Sequence, residues 1–271
     1  MQNFYYSLAS GSSGNCAVWS AGGTAVLIDA GISFRAINQG LSAVGLTFSD
    51  LSAVLLTHEH TDHIKALGTM LKKSDIPIHA TFGTAAAILQ KLPAAEKNLK
   101  PFGGGERFSI GSLGVQSIPS PHDAAEPVCY RIDGGGTSLG YATDLGYLPS
   151  TIRDRLLGCA TIVLESNHDV DMLRDGPYPW HLKERIRGMR GHLSNEDCAA
   201  AASQFVMNGT QRLILSHLSD KNNTPLTALR TTEGFLQQNH LDCEVIVAPR
   251  ARMERPISIS PEEDIQCSLF A

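Results

Sequence analysis

The chain has 271 residues, 42% hydrophobic and 18% charged, enough to bury a full core as one large domain or two closely packed halves. A net charge of −5 and a pI near 6.0 exclude a broadly basic nucleic-acid coat and leave room for a local basic patch. Six scattered cysteines with no Cys-x-x-Cys pair suggest neither a zinc ribbon nor a disulfide framework, and the absence of a charged-then-apolar leader or a long apolar run makes the cytoplasm the expected location, with no membrane partner.

Residues 3–9 and 16–20 read as a strand pair around Ser10-Gly11-Ser12-Ser13-Gly14-Asn15, a loop that is either a plain turn or a cradle of free amides facing a phosphate. Ala25-Val26-Leu27-Ile28 is a buried strand that ends at Asp29. Ser33 then caps a helix whose Phe34, Ile37, Leu41 and Val44 form a core stripe.

The next apolar strand, Ala53–Thr57, runs into His58-Glu59-His60-Thr61-Asp62-His63. Imidazole and carboxylate ligands suit Zn²⁺ or Mn²⁺. His58 and His60, two apart on extended backbone, point the same way and can grip one ion. Asp62 and His63 open a helix continued by Ile64, Leu67, Met70 and Leu71, and can face a second. A helix N-terminus there also favours an anionic ligand.

Pro77–Ala80 and Gly83–Leu92 add a strand and a helix, and Gly103-Gly104-Gly105 leads to alternating segments at 106–120, 127–132 and 137–142. Strand, helix and strand recur at Ala160–Glu165, from Asn195, and at Arg212–Ser216; a closing strand at Ile257–Ile259 precedes a loose end. Ser194, with Asp197 three residues on, starts the helix at Asn195 and places His192 just before its N-terminus. The stretch 175–190 holds Tyr178, Trp180, Lys183, Arg185, Arg187 and Arg190 against Glu184. It is either a solvated basic helix face or a surface that stacks bases and tracks a phosphate backbone.

The strand-end residues, in order, resemble the metallo-β-lactamase superfamily: Asp29, the His-x-His-x-Asp-His loop, His122 in Ser-Pro-His-Asp, Asp144 after Gly-Tyr-Ala-Thr, and His217 after Leu-Ile-Leu-Ser. The resemblance spans positions 29–217 and implies an α/β fold, a four-layer αββα sandwich. We expect one domain over 1–271, made of two related halves near 1–125 and 126–250, plus a C-terminal tail. It further implies two divalent metal ions, with His58, His60 and His122 on one, Asp62, His63 and His217 on the other, and Asp144 bridging. Two such ions lower the pKa of a shared water and clamp an in-line displacement. Asp62 would orient that water, and Asp29 would brace the loop from behind. Asp144 stands where β-lactam-cleaving members carry a cysteine, which argues against antibiotic hydrolysis.

Within the superfamily, Glu165 and His192 resemble the ribonuclease Z and J branch, in which such a pair protonates the leaving oxygen. The 26 positions between them (166–191) leave no room for the large inserted domain of ribonuclease J. Ser-Gly-Ser-Ser-Gly-Asn, Glu-Ser-Asn-His-Asp, Gly-His-Leu-Ser-Asn-Glu and Ser-His-Leu-Ser-x-x-Asn-Asn are similar to the YycJ (WalJ) group of bacterial metallo-hydrolases. That likeness implies a metal-dependent 5′-to-3′ exonuclease on DNA, with a part in repair. Ser13, Asn15, His168, Ser194 and Asn223 are the expected substrate contacts, with a solvent-facing loop position the alternative for His168. The competing functions are a small-molecule cyclic phosphodiesterase of the phosphoribosyl 1,2-cyclic phosphate type, a glyoxalase-II-like thioester hydrolase, and a non-catalytic regulator with structural metals. Oligomeric state is not legible.

Overall fold

The computed structural model describes residues 2–259; the loose end expected past Ile259, with Cys267, lies outside them. Strands β1 (Phe4–Ala9), β2 (Cys16–Ala21) and β3 (Thr24–Ile28) form an antiparallel meander. Three strands then add in parallel, each reached through helix: β4 (Leu51–Leu55) after α1 (Phe34–Ala43), β5 (Ile78–Thr81) after α2 (Thr61–Ile64) and α3 (Leu67–Met70), and β6 (Leu99–Phe102) after α4 (Phe82–Lys91).

The second sheet repeats the scheme. Its antiparallel part is β7 (Arg107–Ile110), β8 (Leu113–Pro119), β9 (Val128–Gly134) and β10 (Thr137–Ala142). After α5 (Ser150–Leu156) comes β11 (Thr161–Glu165), parallel to β10. Then α6 (Val170–Asp175), α7 (Trp180–Arg187) and α8 (Asn195–Val206) lead to β12 (Arg212–Ser216), and α9 (Pro225–Gln238) to β13 (Glu244–Val247). Strand β14 (Ile257–Ser258) returns to the edge of β1 and completes the first sheet, so that among the described residues each sheet has seven strands. The chain changes sheets at the glycine connector 103–105, ahead of the boundary expected near residue 125, because β7 and β8 pair in turn with β9.

Period-two alternation explains the layering. Tyr141, Val163 and Ile214 face the first sheet and share one core with Trp19 and Val26. Their neighbours Ile162, Leu164, Leu213 and Leu215 point the other way, under Ile152, Phe205 and Leu236 of α5, α8 and α9. Strands buried on both faces need apolar runs, which is why β11 and β12 read that way in the sequence. Among the described residues no helix is long and apolar enough to cross a membrane.

The single helix expected from Asp62 to Leu71 is instead two short ones, and the cause is local. Asp62 carbonyl accepts from the Asn15 amide (2.7 Å), His63 carbonyl accepts from the Ala30 amide (2.7 Å), and the Ala66 amide donates to Ala30 carbonyl (2.8 Å). Those groups would otherwise continue the helix. Gly31 makes the approach possible, since a Cβ there would sit 1.6 Å from the Asp62 carbonyl oxygen. The loop at 58–63 is thus sewn to residues 15–31 by backbone bonds.

Candidate metal centre

The expected ligands collect at the C-terminal edges of the strands, where open α/β sheets place their ligands. Asp29 follows β3, His58 follows β4 by a short turn, His122 follows β8, Asp144 follows β10 and His217 follows β12. Asp29, Asp144 and His217 adopt left-handed backbone, with φ of 58°, 60° and 57°. Non-glycine residues enter that region at a cost, and surrounding bonds hold these three there. The His217 amide donates to Ser10 Oγ (2.7 Å), and Ser120 Oγ donates to the Asp144 carbonyl (2.8 Å).

Two triads face each other across Asp144: His58, His60 and His122, and Asp62, His63 and His217. Each imidazole has its inner nitrogen committed elsewhere, or faces its neighbour. His58 Nδ1 donates to Thr57 Oγ1 (3.0 Å), whose hydroxyl and amide both donate to Asp29. His63 Nδ1 donates to Asp29 Oδ2 (2.8 Å), His122 Nδ1 to the Gly191 carbonyl (3.2 Å), and His217 Nδ1 to Glu165 Oε1 (2.7 Å). His60 turns Nδ1 toward His58 Nε2, 2.9 Å away. Fixing one ring nitrogen this way aims the other's lone pair at a cation.

Apart from the His58 Nε2–His60 Nδ1 pair, those outward atoms converge without hydrogen-bonding one another. His63 Nε2 lies 3.5 Å from both Asp62 Oδ2 and Asp144 Oδ2, and His217 Nε2 lies 3.7 Å from Asp144 Oδ1. His217 Nε2 and Asp144 Oδ2 are buried with no hydrogen-bond partner among the described residues. Separations of this size suit donors that share a cation about 2 Å from each. The cluster fits divalent metal binding.

The charges agree. Burial, with the neighbouring imidazoles, holds His58 well below the usual histidine range, and burial also lowers His122, so both are neutral. In the other triad burial disfavours charge, yet Asp29 and Asp144 more than offset it and raise His63 to about 9; Asp144, Asp62 and Glu165 likewise lift His217 well up. Asp62 and Asp144 fall below the ordinary carboxylate range despite burial, because these histidines outweigh it. Protons occupy the carboxylate-rich half, where a cation would replace them.

Glu165 joins this centre to His192. Its Oε1 accepts from His217 Nδ1 and from His192 Nδ1, each at 2.7 Å, and its Oε2 accepts from the amides of Leu145 (2.8 Å) and Leu193 (3.1 Å). Burial opposes its charge, but His192 and His217 outweigh that and keep the carboxyl ionised. Although Asp144, Glu165, His192 and His217 also lie close enough to form a ligand group, four donors already fill Glu165. His192 is partly exposed, and among the described residues its Nε2 makes no hydrogen bond, so it can present a proton to a ligand.

The expected substrate contacts divide. Asn15 is buried and braces the loop, accepting from the Gly11 amide and reaching Asp62 and His63 with its Nδ2. Ser194 is buried as the cap of α8, exchanging bonds with Asp197. Asn223 is buried among the Ser166 and Asn167 carbonyls and Asn195, which spends its amide within the fold. These three are taken out of reach of a substrate. His168 is buried, not solvent-facing; burial lowers it to about 4, and its Nδ1 has no partner among the described residues. Ser13 is exposed, while its neighbour Ser12 lines the cavity beside His192.

Two residues of the metal strand and loop carry supporting roles that motif reading passed over. Thr57 links Asp29 to His58, as described. Glu59 is buried and accepts from the Ala125 amide (2.8 Å) and Thr84 Oγ1 (3.3 Å), tying the His122 loop to α4. A charged residue between two histidines of an extended segment must face away from them, and that alternation was the available signal.

The model of the Beta-lactamase superfamily domain matches residues 24–218. The exodeoxyribonuclease YycJ of Bacillus anthracis is 36% identical over 234 residues, covering 85% of this chain and 88% of that protein. The exodeoxyribonuclease WalJ of Streptococcus pneumoniae is 36% identical over 244 residues, 88% and 90% of the two chains. Among solved structures, the metallo-β-lactamase fold protein YhfI of Bacillus subtilis superposes with a TM-score of 0.69 at 17% identity, covering 92% of this chain and 98% of its own, which shows the shared fold. With a histidine and aspartate cluster fit for a divalent metal at its strand ends and these matches over most of its length, the chain belongs to the β-lactamase superfamily of metallo-hydrolases.

Proposed function

We propose that this metal-dependent hydrolase is a two-metal phosphodiesterase, acting as a 5′-to-3′ exonuclease on DNA and serving repair in the cytoplasm. The reading is carried by one carboxylate oxygen, Glu165 Oε1, shared between the metal-facing His217 and the outward-facing His192. His58, His60 and His122 would hold one ion, Asp62, His63 and His217 the other, and Asp144 would touch both. Zinc or manganese bound there supplies Lewis-acid charge and lowers the pKa of water.

The protein's own groups do the rest. Asp62, partly exposed and ionised, accepts a hydrogen bond from the attacking water and orients it. Glu165 accepts from His192 Nδ1 and fixes the ring's orientation, so that a proton carried on Nε2 is aimed at the departing oxygen. A thioester hydrolase has no use for that donor, because a thiolate leaves unaided. A cyclic phosphodiesterase with an added cysteine-rich zinc site is disfavoured as well: among the described residues no cysteine joins a candidate metal cluster. The identity of the two exodeoxyribonuclease relatives supports DNA as the substrate.

The test is a comparison of end-labelled DNA, end-labelled RNA and bis-p-nitrophenyl phosphate, with the metal-loaded protein and a His192→Ala variant. General-acid removal should cost about 10²–10⁴-fold on DNA and far less on the aryl ester, whose leaving group needs no proton. Equal losses on both would remove His192 from that role, and an inert wild-type protein on every phosphodiester would end the reading.

A further inference from the structure

A cavity of about 190 Å³ opens beside His192, between α7 on one side and the Ser12, Asn167 and Ser219 loops on the other. None of the expected ligands lines it. Tyr178, Arg185 and Arg190 do, and they belong to the aromatic and basic stretch whose purpose the metal centre leaves unexplained. Arg185 is occupied: it pairs with Asp123 Oδ2 at 2.6 Å, which also neutralises the one carboxylate on the wall. Arg190 is exposed and, among the described residues, makes no side-chain hydrogen bond or ion pair, so this residue of the cavity wall carries a positive charge with no counter-ion.

We propose that this cavity receives the single nucleotide on the leaving side of the scissile bond, with Arg190 on its terminal 5′-phosphate and Tyr178 against its base. The assignment rests on the phosphodiesterase reading and specifies which part of the substrate goes where. His192 protonates the departing oxygen, so the departing residue must lie on the His192 side, and the cavity is there. A water-sized group needs about 10–15 Å³ of such space, so the cavity takes on the order of fifteen of them, the scale of one nucleoside rather than a run of nucleotides. Guanidinium matches a phosphate monoester in a two-point fork, and a phenol ring offers every base a face to stack on. In the step itself, an oxygen from water bonds to phosphorus and the bond from phosphorus to O3′ breaks. The proton on His192 Nε2 passes to O3′, and a 5′-mononucleotide remains in the cavity while the shortened strand keeps a 5′-phosphate.

The experiment has two arms, using the full metal-loaded chain. In the first, thymidine 5′-monophosphate is titrated calorimetrically into wild type, Arg190→Met, Arg190→Lys and Tyr178→Leu. Binding should weaken more than tenfold in Arg190→Met, recover in part in Arg190→Lys, and weaken severalfold in Tyr178→Leu. In the second, kcat/KM is compared for a thymidine dinucleotide with and without a 5′-phosphate. Wild type should prefer the phosphorylated form about tenfold or more, and Arg190→Met should bring the ratio near one. An unchanged ratio, or equal nucleotide affinity in wild type and Arg190→Met, overturns the assignment. If wild type cleaves no strand yet binds the mononucleotide through Arg190, the cavity stands and the nuclease reading falls.

Discussion

Replacing Glu165 with glutamine keeps its shape and removes one of two equivalent acceptors. The wild-type carboxylate receives two backbone amides on Oε2 and two imidazole N–H groups on Oε1, with no exposure to water. Backbone amides can only donate, so the glutamine oxygen must turn to Leu145 and Leu193, leaving its NH₂ toward the histidines. His217 and His192 then meet it with bare Nδ1 atoms and carry their protons on Nε2. For His217 that is the metal-facing atom. Exchanging two charge-assisted bonds, about 1.5–3 kcal/mol each, for neutral ones of about 0.5–1.5 kcal/mol forfeits about 2–3 kcal/mol of support. Metal affinity should fall about 10–100-fold by chelator competition. At saturating metal, DNA hydrolysis should still fall by about 10²–10⁴, since His192 has lost the acceptor that fixes Nδ1 and aims Nε2 at the leaving oxygen. Nitrogen-15 shifts of the histidines would report the tautomer change directly. Metal affinity within threefold of wild type, with both tautomers unmoved, would refute the reasoning.

Asp29→Asn acts one ring away: His63 loses its anionic acceptor, and metal affinity should drop about 10–100-fold in the same competition assay while the fold persists. Gly31→Ala drives a methyl into the Asp62 carbonyl, so urea unfolding should show a loss of at least about 3 kcal/mol. In the metal-free protein His63 is raised from the ordinary value to about 9, so the stability it contributes is full below pH 6.5 and is lost as pH climbs through 9. The shift corresponds to about 3 kcal/mol, readable as a falling urea midpoint across that window; a flat midpoint would contradict it. The same protons must leave when metal enters, so calorimetry in buffers of different ionisation enthalpy should record proton release on metal uptake at pH 7.

The sheets and the cluster were legible because each piece is written locally. Apolar runs such as Leu213–Leu215 name strands buried on two faces, and the polar residue ending each run names a position at the sheet's working edge. Glu165 and His192 could be paired only through a likeness to other enzymes, since nothing in a single chain says that residues so far apart share a bond. Polar loop residues were harder. Asn15, Ser194 and Asn223 sit in the same motifs as the working groups, but whether a side chain turns to the cavity or to the backbone behind it depends on which carbonyls lie near, and that is set by tertiary packing. The break after Ile64 was hidden for the same reason: its causes, Asn15 and Ala30, come from another part of the chain. The stretch holding Tyr178 and Arg190 left two readings open, a solvated basic face or a base-stacking surface, and which of its residues meet the cavity beside His192 depends on the path of α7.

The three left-handed residues at the strand exits set a trap for protein engineering. Glycine at 29, 144 or 217 would ease a backbone conformation that costs an L-residue about 1 kcal/mol and so looks like a stabilising exchange, yet at 29 it would strand the Thr57 and His63 donors that the carboxylate accepts from, at about 1–3 kcal/mol for each one left unpaired. A stabilising campaign on this enzyme should freeze those positions, because the conformational relief is smaller than the bonds that would be given up.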